Sequence, residues 1–347
     1  MSKTAKAMDT IRLNRVLSQL ITGRPLSASD ARWTFTLLFK DALPFSLARS
    51  LLLLLDHKGE TSGELLGCLQ ALQALEKKIG PRIPGLMDTC GTGGDGRHTI
   101  NISTLVALVI AGAGGKIAKH GNRAISSKSG SSDLMEAFGV KLDASPRKMI
   151  RSIRQTGLGY FHAPAYHPVF ARVQPLRRAL KRRTILNLLG PLVNPMRLDH
   201  QLVGVSEKRL IPLYAKVLSK LGQNTALVCH SRDGMDEIST SSPTTAAWIT
   251  PHRVRMSVIR PRHLGLKAAS AHDLTVHSVR HSKLRAQAIL NGTEKSPARD
   301  TVVLNAAFGL LICRKVKTVR EGIALAQLSI DSGKAFHVLN QLKMMSN

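Results

Sequence analysis

Four glycines in six residues, Gly91-Thr-Gly-Gly-Asp-Gly96, precede a helical pattern whose first turn reads Asn101-Ile-Ser-Thr104. Glycines let a chain turn tightly and let a ligand approach the backbone closely. The amides at a helix start add a positive field, so a phosphate suits such a loop. An ordinary tight turn is the alternative. The spacing also fits G-x-G-x-x-G, but the dinucleotide fingerprint wants an acid about 20 residues further on to hold the ribose. No acid lies between Asp95 and Asp133, which disfavours a nicotinamide cofactor. The Walker pattern fails too, because no Lys-Ser or Lys-Thr follows at the required offset.

A second stretch, Lys119-His-Gly-Asn-Arg-Ala-Ile-Ser-Ser-Lys-Ser-Gly-Ser-Ser132, offers three cations, five serine hydroxyls and two glycines before Asp133. Polyphosphate oxygens would use nearly all of those donors; a flexible polar loop is the alternative. A third stretch, Asp233-Gly-Met-Asp-Glu-Ile-Ser239, carries the adjacent acids Asp236 and Glu237 in a chain short of acid. Mg²⁺ takes one or two carboxylates together with substrate phosphates and water. Alone, a solvated turn explains such a pair equally well.

The elements that must position these stretches change character along the chain. Up to residue 80 the pattern is helical, with Val16, Leu17, Leu20 and Ile21 at helix spacing and Gly23 and Pro25 as stops. Ser27 and Asp30 suit a helix start, Pro44 opens a third helix, and Thr61 with Glu64 has capping-box spacing for a fourth through about Lys78. Gly80-Pro81 and Pro84 mark a boundary. Beyond it, Ile117-Ala118, Leu202–Val205 and Ala226–Cys229 read as buried strands. They alternate with helical patterns near 102–112, 132–138, 146–155 and 207–221, and Ser145-Pro146 suits an N-cap. Helices follow over Val302–Leu311 and Val319–Ile330, with a break at Asp331-Ser-Gly333. Strands alternating with helices predict an α/β fold: a small N-terminal helical domain, 1–84, and a larger α/β domain, 85–347, with a mostly parallel central sheet flanked by helices.

The 347 residues are 43% hydrophobic, enough for a sizeable core and against a disordered or fibrous chain. Aromatics at 4% argue against a base-stacking platform for single strands. No apolar run approaches the about 20 residues of a membrane span, and no signal peptide is visible. Four scattered cysteines form no CxxC pair, so the expected compartment is the cytoplasm. The net charge of +28 is uneven, with eleven Lys/Arg against Asp143 alone over 141–183. It makes nucleic acid a conceivable partner, although the motifs do not favour one.

Taken together, these motifs resemble anthranilate phosphoribosyltransferases. The resemblance runs almost end to end, through Lys58-Gly-Glu60, Gly91–Gly96, Asn101–Thr104, Lys119–Ser132, Ala163-Pro164, His167-Pro168, Arg177-Arg178, Arg183–Pro195, Asp236-Glu237 and Asp331-Ser-Gly-Lys334. It implies transfer of the phosphoribosyl group of phosphoribosyl pyrophosphate to anthranilate, in tryptophan biosynthesis, by a cytoplasmic homodimer with two Mg²⁺ per monomer. It also implies that helices around 168–190 pack on the helical domain. By resemblance, Gly91, Gly94, Asp95, Thr99, Asn101, Ile102, Ser103 and Thr104 would hold the sugar diphosphate. So would Lys119, His120, Gly121, Asn122, Arg123, Ala124, Ile125, Ser126, Ser127 and Ser131. Gly91, Asn122 and Arg177 would contact anthranilate, Ser103, Asp236 and Glu237 would bind metal, and Lys119 and His120 would serve catalysis. Two positions depart from the family pattern: Lys181 where glycine is common, and Leu186 where phenylalanine is frequent. A pyrimidine nucleoside phosphorylase-like enzyme and a nucleic-acid-binding relative of the same fold are the competing readings.

Overall fold

A computed structural model describes residues 3–76, 78–124, 127–262 and 264–347; Ile125 and Ser126 of the second loop lie outside them. The chain opens with helices α1 (Lys3–Ile21), α2 (Ala28–Phe39), α3 (Phe45–Lys58) and α4 (Ser62–Leu75). Their starts follow from local chemistry. Ser27 accepts the amide of Asp30, and Thr61 and Glu64 cap each other reciprocally. The fourth helix stops at Leu75, short of Lys78, because Glu76 turns extended. Its carboxylate is held by His167 Nδ1 at 2.6 Å and by the amide of Val169 at 3.0 Å.

There follow β1 (Leu86–Gly91), α5 (Ile102–Gly112), β2 (Lys116–Gly121), α6 (Ser131–Ala137), α7 (Pro146–Thr156), β3 (Leu158–His162), α8 (Ala163–Tyr166) and α9 (Val169–Leu180). After two 3-10 turns come β4 (His200–Gly204), α10 (Leu210–Lys220), β5 (Thr225–Ser231), β6 (Thr244–Thr250) and β7 (Arg253–Ile259). The chain closes with α11 (Ala271–Leu274), α12 (Val279–Leu290), α13 (Pro297–Ile312), α14 (Val319–Asp331) and α15 (Lys334–Ser346).

Two compact units result, Met1–Lys77 with His167–Val193 and Lys78–Tyr166 with Asn194–Asn347. In the first, α2 packs on α4, and α9 packs on α2 and α3. Glu64 is fully buried there, with Lys58 Nζ at 2.9 Å and the amide of Leu26 at 2.8 Å. Lys181 ends α9 at φ 49°, a left-handed conformation that glycine adopts without strain.

The second unit holds a seven-stranded sheet in the order β3-β2-β1-β4-β5-β6-β7. The first five strands run parallel, and β6 and β7 add antiparallel at one edge. The α/β class with a mostly parallel sheet is therefore as the sequence predicts. Strand β1 is buried along almost its whole length, and α5 is buried on all sides against α13, α14 and α15, so neither shows amphipathic alternation. Among the described residues no helix is long and apolar enough to cross a membrane, and all four cysteines are free.

Seven elements, β3, α8, β6, β7, α11, α12 and α15, have no counterpart in the sequence-based expectations. β3 is a single five-residue strand directly after α7. β7 alternates Arg253, Arg255 and Ser257 with Val254, Met256 and Val258 while lying exposed at the sheet edge, so its period-two pattern marks no core. α15 buries Ala335, Val338, Leu339 and Leu342 at helix spacing, beyond the Asp331–Gly333 break.

Candidate active site

The site forms where the strand order turns back. β1 connects to β2 on one side and lies against β4 on the other, and ligands of open α/β sheets bind beyond the strand carboxyl ends at such a point. Register brings Gly91 level with Gly204, and Gly204 level with Cys229. Three loops meet there, after β1, after β2 and after β5.

The glycine loop leaves β1 with Thr92 N donating to Gly204 O at 2.9 Å, then runs through Gly93, Gly94 and Gly96 at positive φ. Gly93 N donates to Asp236 Oδ2 at 3.1 Å, which ties the loop to the turn after β5. The approach is close: a Cβ on Gly91 would lie 2.5 Å from Asp236 Oδ2, and one on Gly204 would overlap the Asp236 carbonyl oxygen. Asp95 stands beside Asp236, and the amide of Ser103 in the first turn of α5 donates to Glu237. Ile102 and Thr104 are buried, so they present backbone rather than side chain. Thr99 bridges to Thr275.

Electrostatically, this corner is strained by acid. Burial, and then Asp95, push the Asp236 carboxyl up to about 7, and burial with Asp236 pushes Glu237 well above its usual range. Two half-buried carboxylates held up in this way fit a hard divalent cation. Among the described residues, no three His, Cys, Asp or Glu side chains gather into a cage of their own, so a cation here would complete its shell with water or substrate oxygens.

The second loop begins where β2 ends. Lys119 is buried, with Nζ donating to His120 O at 3.1 Å, and lies close enough to Asp88 and Glu237 to favour both as anions. His120 N donates to Asp88 Oδ1 at 3.2 Å. Asn101 joins this loop to the first, its Nδ2 donating to Ser129 O at 3.0 Å while its Oδ1 accepts from Ser129 and Ser282. Asp133 pins the loop through the amides of Ala124 and Gly130, both at 2.9 Å. The Arg123 guanidinium pairs with Asp133 and Glu136, and Ser127 Oγ reaches Ser129 O at 3.4 Å. Gly121, Asn122 and Ser131 close the loop base, with Asn122 N donating to Ser131 Oγ at 3.1 Å. Arg177 lies in the last turn of α9, in the helical unit, half-buried.

Four positioning residues escape sequence reasoning. Asp88 is a fully buried acid on β1 that accepts Asn194 Nδ2 at 2.9 Å as well as the His120 amide. Asn194 also donates to Ala118 O. Asn305, buried on α13, pairs its amide with both backbone groups of Ile238 and so fixes the turn carrying Asp236 and Glu237. Gly204 leaves room for that turn. An acid inside the mostly apolar Leu86–Cys90 was the one signal available from sequence.

An α/β sheet with an anion loop and half-buried acids at its switch point, in a chain that also carries a helical unit, is the build of a phosphate-handling transferase. The model of the glycosyl transferase family, a/b domain, matches residues 84–336, and that of the glycosyl transferase family, helical bundle domain, matches 14–75. The anthranilate phosphoribosyltransferase of Symbiobacterium thermophilum is 41% identical over 332 residues, covering 95% of this chain and 97% of that one. Its counterpart in Acetivibrio thermocellus is 39% identical over 335 residues, with 96% and 97% covered. The crystal structure of the Thermus thermophilus anthranilate phosphoribosyltransferase matches with a TM-score of 0.88 at 33% identity, over 95% of this chain and 99% of that one. The Saccharomyces cerevisiae enzyme in complex with PRPP and Mg shares the fold, with a TM-score of 0.87 at 23% identity, over 96% and 97%. This chain belongs to the glycosyl transferase family and, within it, to the anthranilate phosphoribosyltransferases.

Proposed function

We propose that this protein transfers the phosphoribosyl group of 5-phospho-α-D-ribose 1-diphosphate to the amine of anthranilate, giving N-(5-phosphoribosyl)anthranilate and diphosphate, a step of L-tryptophan biosynthesis. The observation that carries the reading is Asp236 set against the glycine loop, accepting the Gly93 amide with Asp95 and Glu237 alongside. In the reaction the C1–O bond to diphosphate breaks, a C1–N bond forms, and the amine loses one proton. Positive charge builds on the sugar and negative charge on the departing diphosphate.

Gly91, Gly94, Asp95, Thr99 and Asn101–Thr104 are proposed to cradle the diphosphate and sugar. Lys119 to Ala124, Ser127 and Ser131 complete that cradle, as do Ile125 and Ser126. Lys119 offsets the leaving group's charge, and His120 lines the channel. Ser103, Asp236 and Glu237 would hold two Mg²⁺, whose chemistry when bound is charge neutralisation of the departing diphosphate. Anthranilate is assigned to Gly91, Asn122 and Arg177, whose fork can give a carboxylate two parallel hydrogen bonds. An aromatic amine is neutral at pH 7, so the chemistry demands no strong base.

The two units are proposed as the family's helical and α/β domains. Exposed Ile11, Ile21 and Phe45 on the helical unit support a homodimer formed there, and the four free cysteines support a cytoplasmic setting. The direct test is the decay of anthranilate fluorescence with matching diphosphate release on mixing the protein with the sugar diphosphate and Mg²⁺. Phosphorolysis of a nucleoside instead would overturn the reading.

Two further results are expected. Arg177→Ala should raise the KM for anthranilate about tenfold or more, and the KM for the sugar diphosphate much less. Equal changes in both would remove its assignment. The second concerns pH. Asp236 is held at about 7 against 3.8 in the ordinary group, so the fold binds this proton more tightly than the unfolded chain does. Its contribution is fully present below 3.8 and is lost as pH rises through about 7. Cation-free protein should therefore lose thermal stability over that window relative to the Asp236→Asn variant, and Mg²⁺ should narrow the gap. Melting curves that stay parallel across the window would contradict this.

A further inference from the structure

Behind the second loop runs a chain of hydroxyls ending on a histidine. Ser131 Oγ donates to Asn122 O at 3.2 Å and accepts Asn122 N. Tyr160 Oη donates to Ser131 Oγ at 3.1 Å. Ser132 Oγ lies 2.8 Å from Tyr160 Oη and 2.8 Å from His162 Nδ1. Ser132 and Tyr160 are buried, at 0% and 3% exposure, so water does not complete these bonds. His162 is partly exposed and lines a groove of about 520 Å³ with Arg123, Glu136, Lys141 and Asp143.

Counting protons fixes the direction of the chain. Each hydroxyl has one hydrogen. Ser131 gives its hydrogen to the Asn122 carbonyl, and Tyr160 gives its hydrogen to Ser131. Tyr160 must then accept from Ser132, and Ser132, its own hydrogen spent, must accept from His162. His162 therefore carries a hydrogen on Nδ1, which holds for the imidazolium and for one neutral tautomer alike. Gly121 makes the arrangement feasible, because a Cβ there would collide with both Ser131 Oγ and Tyr160 Oη.

We infer that His162 is a positioning residue for the second loop: its Nδ1–H orients the Ser132–Tyr160–Ser131 relay, which clamps both backbone groups of Asn122. The consequence for turnover rests on the function proposed above, where Asn122 meets both substrates; the relay itself does not. Asparagine places a donor near the Nδ1 position, aspartate of the same shape places only acceptors, and leucine places neither.

The test combines steady-state kinetics with hydrogen exchange of the ligand-free protein. His162→Leu, His162→Asp and Tyr160→Phe should each raise KM for both substrates about fivefold, with kcat within about twofold, the loss of one hydrogen bond's net worth. His162→Asn should stay within about twofold of the parent. The double variant His162→Leu/Tyr160→Phe should be no worse than either single one, since both cut the same chain. The Asn122 amide should exchange about fivefold faster in the cut variants and not in His162→Asn. Multiplying effects in the double variant, failure of His162→Asn to retain parental behaviour, or unchanged exchange in Tyr160→Phe would overturn the inference. Tyr160→Phe removes a single oxygen and keeps the measurement valid if His162→Leu does not fold. Should the parent show no transfer to anthranilate, the functional reading falls while exchange still judges the relay.

Discussion

Converting Asp236 to Asn and Glu237 to Gln together is expected to lower kcat/KM by about a thousandfold or more, even with Mg²⁺ in excess. One preorganised electrostatic contact is worth roughly 3–4 kcal/mol of barrier in enzymes of this kind, and two proposed metal ligands are lost here. The fold should not suffer. Both carboxyls are half-buried and pushed upward by desolvation and by acidic neighbours, so ionising them costs the folded state rather than stabilising it. Amides of nearly equal size relieve that cost, and Asp236→Asn keeps an oxygen for the Gly93 amide. The melting temperature should therefore stay level or rise while turnover collapses. Near-parental activity in excess Mg²⁺ would remove these two residues from the metal site. A parallel collapse of stability would make them structural.

Gly204→Ala is expected to be the most damaging single methyl group in the site. Its Cβ would occupy the space of the Asp236 carbonyl oxygen, a backbone atom that no side-chain rotation can clear. β4 is paired on both sides, with β1 and with β5, and cannot yield cheaply. The turn over 233–238 must move instead, taking Asp236 away from the Gly93 amide. We expect kcat/KM to fall about a hundredfold or more. Overpacking of this kind costs about 1–3 kcal/mol, so the melting temperature should drop by several degrees. Gly63→Ala is the control, since an added Cβ there meets nothing nearer than 3.9 Å. Equal behaviour of the two variants would show that the close approach of the two backbones does not matter.

Much of this site can be read from sequence because its chemistry is carried by residue type. Gly91–Gly96, Lys119–Ser132 and Asp236-Glu237 announce turns, donors and acids wherever they fall. The helix starts at Ser27, Thr61 and Ser145 were legible for the same reason, since a cap is a local bond between a side chain and an amide three residues on. What sequence could not supply is register. Gly204 matters only because β4 lies beside β1 and the Asp236 backbone crosses it. Asn305 is one polar residue in an apolar helix until the fold sets its amide against Ile238. The hydroxyls of Ser131, Ser132 and Tyr160 become a relay only once β3 brings Tyr160 alongside the base of the second loop. β7 escaped for a different reason, because an antiparallel edge strand with exposed arginines and valines alternates without marking a buried face.

The account turns on one arrangement: a diphosphate held between the glycine loop after β1 and cations bound at Asp236 and Glu237. A crystal structure of the protein soaked with the sugar diphosphate and Mg²⁺ tests it most directly. The account predicts diphosphate density over Gly91–Gly94 and the first turn of α5, bridged by metal to Asp236 and Glu237. Diphosphate bound elsewhere on the chain, with no metal at these two acids, would contradict it.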